Sequence, residues 1–326
     1  MIPLWPLLLP VALSGKISPW ENQWLKTAES ASPNHYPFIA TLHYKTVLGI
    51  NQAMPGSEPY CTGVQISSHH ILTAAHCFFD DDGVARYCNS MGPLEPQYWI
   101  DSTSIVLGSR CTSLMCWPHQ PFYTPVKITL HPFYDICSDK AANDLALIEV
   151  AGPISTAHGK PICLPEEWEQ VPKTTQLFLA GYGKEDESVP STLQLTPYPY
   201  HEETGVLIKA PVESTPARWG DSGGPLFHVQ NNEKNVLMGI LSGEQTISAR
   251  LSALGSILRV FSAKYAVFND VRKHLNWICN ETGICPIREA NNNIQPQTYP
   301  IVQSRPAQNH NPQLPLQNRL FNYLTL

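Results

Sequence analysis

The stretch Gly220-Asp221-Ser222-Gly223-Gly224-Pro225 sets a single hydroxyl among glycines. A serine hydroxyl is a poor nucleophile near neutral pH and needs a neighbouring base to take its proton. The glycines let the backbone approach a substrate, and the N–H groups of Gly220 and Ser222 can then point at an oxyanion developing beside them. Two further stretches supply what such a serine needs. Leu72-Thr73-Ala74-Ala75-His76-Cys77 carries a histidine, the side chain whose pKa lies near working pH. Asn143-Asp144-Leu145-Ala146-Leu147 carries a carboxylate that can fix the imidazole tautomer. Each stretch alone is ambiguous: a lone His-Cys is usually structural, and a lone G-x-S-x-G is a weak match. All three, in the order His76, Asp144, Ser222 and with these flanks, point to one nucleophilic site.

Around these stretches the chain reads as all-β. Apolar runs at residues 37–44, 98–107, 126–130, 145–150, 176–181, 205–210 and 235–241 have strand length, with Gly, Pro, Asn and Ser between them. Their β-branched content and spacing fit an antiparallel barrel or sandwich. One segment reads as helix: Phe268, Val271, Leu275 and Ile278 recur on one amphipathic face. Residues 78–125 make a long connection, either a specificity loop or a disulfide-stapled insertion. Residues 286–326 are rich in Asn, Gln and Pro and predict a disordered tail.

Composition narrows the function class. The chain has 326 residues, 43% of them hydrophobic, and a net charge of -6. No basic stripe favours nucleic acid, and no stretch is long and apolar enough to span a membrane. The opening MIPLWPLLLPVALSG predicts a signal peptide over residues 1–15. Nine cysteines then imply disulfides, with an odd one left over. A zinc site is not indicated, because CxxC and HExxH are absent and His201-Glu202 lacks a second histidine; no metal or other cofactor is expected. Asn280-Glu281-Thr282 is an N-glycosylation sequon, in keeping with a secreted protein.

Leu72–Cys77, Asn143–Ile148 and Gly220–Leu226 resemble the three signatures of the chymotrypsin/trypsin-like serine proteases, in that family's order. Tyr36-Pro37-Phe38 resembles the segment opening its first strand, Pro161-Ile162-Cys163-Leu164-Pro165 its interdomain linker, and Gly181-Tyr182-Gly183 its G-W-G turn. Residues 267–278 resemble its last strand running into a C-terminal helix. The opening SPWENQW is similar to a divergent nematode branch. The resemblance implies two six-stranded antiparallel β-barrels with a C-terminal helix. It implies a short propeptide over 16–24, a protease domain over 25–285 and a Cys61–Cys77 disulfide. It leaves Cys163 without its usual partner; Cys279–Cys285 is expected from proximity. The implied activity is peptide hydrolysis through an acyl-enzyme intermediate, with protein or peptide substrates and protease inhibitors as partners.

Several positions depart from that pattern. By resemblance Asp221 pairs with a new amino terminus, near Leu25-Lys26, yet the family's basic-Ile-Val-Gly-Gly is missing there and Lys16-Ile17 lies too early. Pro216 stands where an Asp sets trypsin-like specificity, Arg218 where a cysteine is usual, and Glu244 where a glycine is usual, two residues after the pocket-lining Ser242. A Lys or Arg side chain beside Pro216 would lose hydration without gaining a charge partner, so apolar or small residues are the expected preference. Two rival readings stand beside the protease. One is a catalytically weak or inactive homologue acting as a binding protein. The other is an α/β-hydrolase with Ser222, Asp270 and His274 in that chain order, for which the strand before and helix after the serine are wanting.

Overall fold

The computed structural model describes residues 36–47, 53–79, 88, 96–108, 121–135, 137–138, 141–173, 175–183, 193–212, 217–230, 234–251 and 259–286. The expected signal peptide over residues 1–15, the expected propeptide over 16–24 with the cleavage region near Leu25-Lys26, Pro216, Cys111, Cys116 and residues 287–326 of the expected tail lie outside the described residues.

Two antiparallel sheets make up the fold. The first contains β1 (Ile39–Val47), β2 (Ala53–Gln65), β3 (His70–Thr73), β4 (Thr103–Leu107), β5 (Phe122–Tyr123), β6 (Pro125–Leu130) and β7 (Ala146–Val150). Their order across the sheet is β5-β4-β1-β2-β3-β7-β6. The second contains β8 (Leu177–Gly181), β9 (Gln194–Tyr198), β10 (Glu202–Thr204), β11 (Leu207–Pro211), β12 (Pro225–Gln230), β13 (Lys234–Leu251) and β14 (Arg259–Asp270), ordered β10-β11-β14-β13-β12-β8-β9. The expected fold class holds, with seven strands in each sheet among the described residues rather than six. The short edge pieces β5 and β10, two and three residues long, make up the difference.

Two helical expectations need correction. Residues 98–102, read as the start of a strand, belong to helix α1 (Pro96–Ser102), and the chain turns into β4 only at Thr103. Trp99 buries its ring from that helix against Phe78 and Phe79, so a large apolar residue inside a helix read as strand content. At the C-terminus, Phe268 lies in β14, Val271 in a 3₁₀ turn, and helix α2 spans only Leu275–Thr282. Asp270 caps that turn by accepting the Arg272 N–H at 3.1 Å. All four residues of the expected face are nevertheless buried.

One apolar cluster joins the sheets. Phe38, Val64, Leu72 and Leu145 from the first meet Tyr182, Phe227 and Ile240 from the second. Phe38 and Phe227 pack edge to face with centroids 5.3 Å apart. Such pairs contribute roughly 0.5–1.5 kcal/mol beyond area burial. The Pro161–Pro165 segment ties into both sheets: the Ile162 N–H donates to Gln65, the Cys163 N–H to Asn235, and the Cys163 carbonyl accepts from Leu237. The described residues contain disulfides Cys61–Cys77, Cys88–Cys137 and Cys279–Cys285, and Cys163 is a free thiol.

Candidate active site

His76 sits in a 3₁₀ turn, Ala75–Phe78, directly after β3. The Cys61–Cys77 disulfide fastens this turn to β2, and the Thr73 hydroxyl donates to the Thr62 carbonyl at 2.7 Å. Asp144 arrives from the turn before β7, where Asn143 adopts a left-handed φ of 63°, a conformation that Asn tolerates better than most residues. The Asp144 carboxylate is 2% exposed as a residue and accepts from the His76 backbone N–H at 2.9 Å and from His76 Nδ1–H at 2.7 Å. The Ser242 hydroxyl donates to Asp144 Oδ2 at 2.5 Å. Burial alone pulls the imidazole pKa down, but the charge and hydrogen bond of Asp144 outweigh it, and the net shift is upward from 6.5. With Nδ1 carrying a hydrogen, Nε2 is left as the acceptor.

Ser222 lies in a tight loop that leads into β12. Gly220 has φ 101° and Gly223 φ 80°, both in the left-handed region. A Cβ on Gly223 would fall 2.1 Å from Thr73 Oγ1 and 2.2 Å from the Thr62 carbonyl oxygen, so only glycine fits there. The Ser222 carbonyl accepts the Thr62 N–H at 2.8 Å and lies 3.9 Å from Cys77 Sγ, which sets the serine beside the His76 turn. Gly223 and Gly224 hydrogen-bond Leu241, fixing the loop to β13. Among the described residues the Ser222 hydroxyl makes no hydrogen bond to His76; contacts of this kind often tighten only with substrate in place.

Asp221 points away from Ser222 into the protein. Its carboxylate accepts the Gly183 N–H at 2.7 Å and the Arg218 N–H at 2.8 Å. Burial pushes its pKa up, against the two backbone hydrogen bonds and the Arg218 charge. The Gly181-Tyr182-Gly183 turn makes the room: a Cβ at Gly181 or Gly183 would stand 2.1 Å or 2.4 Å from a carboxylate oxygen. Arg218 extends its guanidinium to Gln194 Oε1 at 2.6 Å. Glu244 is exposed, and its Oε1 accepts the Ala217 N–H at 2.7 Å.

A cleft of about 480 Å³ opens between the sheets at His76 and Asp144, with Tyr134, Ala141 and Gly243 in its walls. Cys61, His76 and Cys77 lie close enough to suggest a metal site, but both sulfurs are consumed in the disulfide and offer no thiolate. Asn280 is exposed on α2. Asp270 pairs with Arg272 and His274 with His131, so neither attends Ser222 as the α/β-hydrolase reading requires.

A family model for trypsin matches residues 26–267, most of the chain. The chain belongs to the trypsin family. Among its trypsin-family relatives is phenoloxidase-activating factor 3 of Holotrichia diomphalia, 27% identical over 269 residues, 77% of this chain and 70% of that protein. Mannan-binding lectin serine protease 1 of Homo sapiens is 25% identical over 303 residues, 86% of this chain and 38% of that protein. Tissue-type plasminogen activator of Sus scrofa is 25% identical over 281 residues, 76% of this chain and 42% of that protein. The chain thus spans less than half the length of the last two.

Two contributors to this trypsin-family site escaped the sequence reading. Thr62 donates its hydroxyl to the Gly220 carbonyl at 2.7 Å and also receives the Tyr182 N–H. Asn269, fully buried, donates Nδ2 to the Ala141 carbonyl at 2.9 Å and to the Asp144 carbonyl at 3.3 Å. Their partners lie more than a hundred residues away in sequence, and only the Cys61-Thr62-Gly63 flank hinted at either.

Proposed function

We propose that the chain is a secreted serine endopeptidase with His76, Asp144 and Ser222 as its catalytic triad. The observation that carries this reading is the Asp144 carboxylate, buried and held by His76 and Ser242 together. That arrangement leaves Nε2 free to take the Ser222 proton as Oγ attacks a peptide carbonyl. The imidazolium so formed is stabilised by Asp144 and returns its proton to the leaving amine. Water then enters the acyl-enzyme by the same route. The oxyanion falls to the N–H groups of Gly220 and Ser222; among the described residues neither is given to another protein group. Losing one such donor typically costs ~10²–10³ in rate.

Secretion is supported by the three disulfides among the described residues, a bond type that persists in oxidising compartments. No described helix is long and apolar enough to cross a membrane. The alternative reading, a catalytically weak or inactive homologue acting as a binding protein, draws on Glu244 reaching across to Ala217 beside the nucleophile. Turnover separates the two. The processed protein is expected to hydrolyse peptide and ester substrates, and Ser222→Ala to abolish this while folding normally; an unchanged rate in the variant would refute the assignment.

A further inference from the structure

The sequon Asn280-Glu281-Thr282 forms the last turn of helix α2. It lies between the two cysteines of the Cys279–Cys285 disulfide, which are six positions apart. Asn280 is exposed, whereas Leu275 and Ile278 of the same helix are buried, so a large group on the Asn280 amide points into solvent. Thr282 is placed the other way. Its hydroxyl donates to the Ile278 carbonyl at 2.6 Å and accepts the Ile284 N–H at 3.1 Å. Glu281 pairs with Lys127 of β6 at 3.2 Å. The Cys279 carbonyl accepts the Gly283 N–H at 2.9 Å, and Gly283 turns the chain out of the helix at φ 74°.

An oligosaccharide transferase reads a sequon through the hydroxyl two residues after the asparagine, which is why Ser or Thr is required there. A hydroxyl has one hydrogen to donate. In the folded chain that hydrogen is given to the Ile278 carbonyl. The backbone around it is fixed by α2 and by the disulfide. The folded sequon is therefore a poor acceptor, although its asparagine faces water. The unfolded sequon carries neither restraint. α2 has eight residues, fewer than the about 12 at which an isolated helix is even marginal in water. It therefore forms only as Leu275 and Ile278 dock or the disulfide closes. The entropy cost of closing a loop grows with its length, and a separation of six is short.

We propose that the Asn280 amide accepts an N-linked glycan only before α2 forms, and that closure of Cys279–Cys285 ends that interval. This rests on the secretion part of the reading above, because only a chain entering the secretory route meets the transferase. In the transfer, Asn280 Nδ2 bonds to C1 of an oligosaccharide carried on a polyprenyl pyrophosphate. The C1–O bond to the pyrophosphate breaks, the lipid pyrophosphate leaves with that electron pair, and the amide gives up one proton. Chains whose disulfide closes first keep a bare asparagine. Because Asn280 faces outward, both forms reach the same fold. The secreted protein is then a mixture, and its composition is set by the rate of disulfide closure relative to the rate of transfer.

The test expresses the full chain in eukaryotic secretory cells and reads the fraction bearing a glycan from the mass lost on peptide N-glycosidase treatment. Wild type is expected to be partly occupied, and Cys279→Ser/Cys285→Ser nearly fully occupied. Cys88→Ser/Cys137→Ser removes a disulfide far from the sequon in sequence and is expected to keep the wild-type fraction. Equal occupancy in wild type and the first variant would overturn the gate. So would an equal rise in both variants, which would report slowed folding in general. A second arm supplies the transferase and its lipid-linked donor to purified, unglycosylated full chain. The reduced, unfolded chain is expected to take the glycan and the folded, oxidised chain to take none; transfer to both alike, or to neither, would also overturn the gate. If every variant stays bare inside the cells while the second arm still divides folded from unfolded chain, the secretion reading falls and the gate stands.

Discussion

Asp144 accepts three hydrogen bonds on two oxygens, from the His76 backbone, the His76 ring and the Ser242 hydroxyl. An asparagine in its place offers one acceptor oxygen, and its amide donor would favour the wrong imidazole tautomer. Asp144→Asn is therefore expected to lower kcat by about 10⁴, as removal of this charge does in the triad mechanism generally. The sign of the accompanying pH effect follows from His76. The base must be neutral to act, and its pKa is raised above 6.5 because Asp144 outweighs burial. The acid limb of kcat/KM should thus lie above pH 6.5 in the wild type and move to lower pH in Asp144→Asn, measured as a pH profile of each protein. A limb that does not move would mean that Asp144 does not set the charge state of His76. The residue types of this site were legible in the sequence, because the chemistry demands them and their glycine and cysteine flanks are distinctive. Ser242 was read as a pocket residue; its hydrogen bond to a carboxylate 98 positions earlier is a product of the fold.

At the scale of elements, strands carrying apolar runs were readable, β6, β7, β8 and β11 nearly to their bounds. β9, whose sequence is QLTPY, and β10, whose sequence is EET, carry no periodic signal, since edge strands need not bury a full face. α2 is docked by a pair of histidines that no pattern announced. His131 follows β6, His274 precedes α2, and His131 Nε2 lies 3.2 Å from His274 Nδ1. The Phe133 N–H donates to His131 Nδ1, so Nε2 carries the hydrogen and donates to His274. Phe133 and Trp277 pack the His131 ring, and both histidines are buried. Burial lowers each pKa to about 4, and the His274 charge adds to the effect on His131. The unfolded chain therefore binds protons near pH 6.5 that the folded chain refuses until about pH 4. Stability held above pH 6.5 is lost as pH falls through that window, by up to about 1.4 kcal/mol per pH unit for each histidine. Denaturant unfolding of wild type and His274→Phe between pH 7.5 and 5 checks this: the variant should show the shallower decline, and equal slopes would contradict it.

Across the whole molecule, the site exists only where the two sheets meet. His76 and Asp144 come from the first sheet, Ser222 and Ser242 from the second, and the Phe38–Phe227 cluster with the Pro161–Pro165 segment fixes one against the other. The family resemblance implied two barrels, whereas periodicity alone left barrel and sandwich open, because alternation reports which face of a strand is buried and not which sheet buries it. The departures at Arg218 and Glu244 became interpretable only once their partners Gln194, Asp221 and Ala217 were located. The central claim is that this assembled geometry makes Ser222 a nucleophile. The most direct measurement treats the processed protein with an active-site phosphonate and maps the modified residue by peptide mass spectrometry. The account predicts one covalent adduct, on Ser222, lost in Ser222→Ala. A folded protein that takes no label, or takes it on another residue, would contradict it.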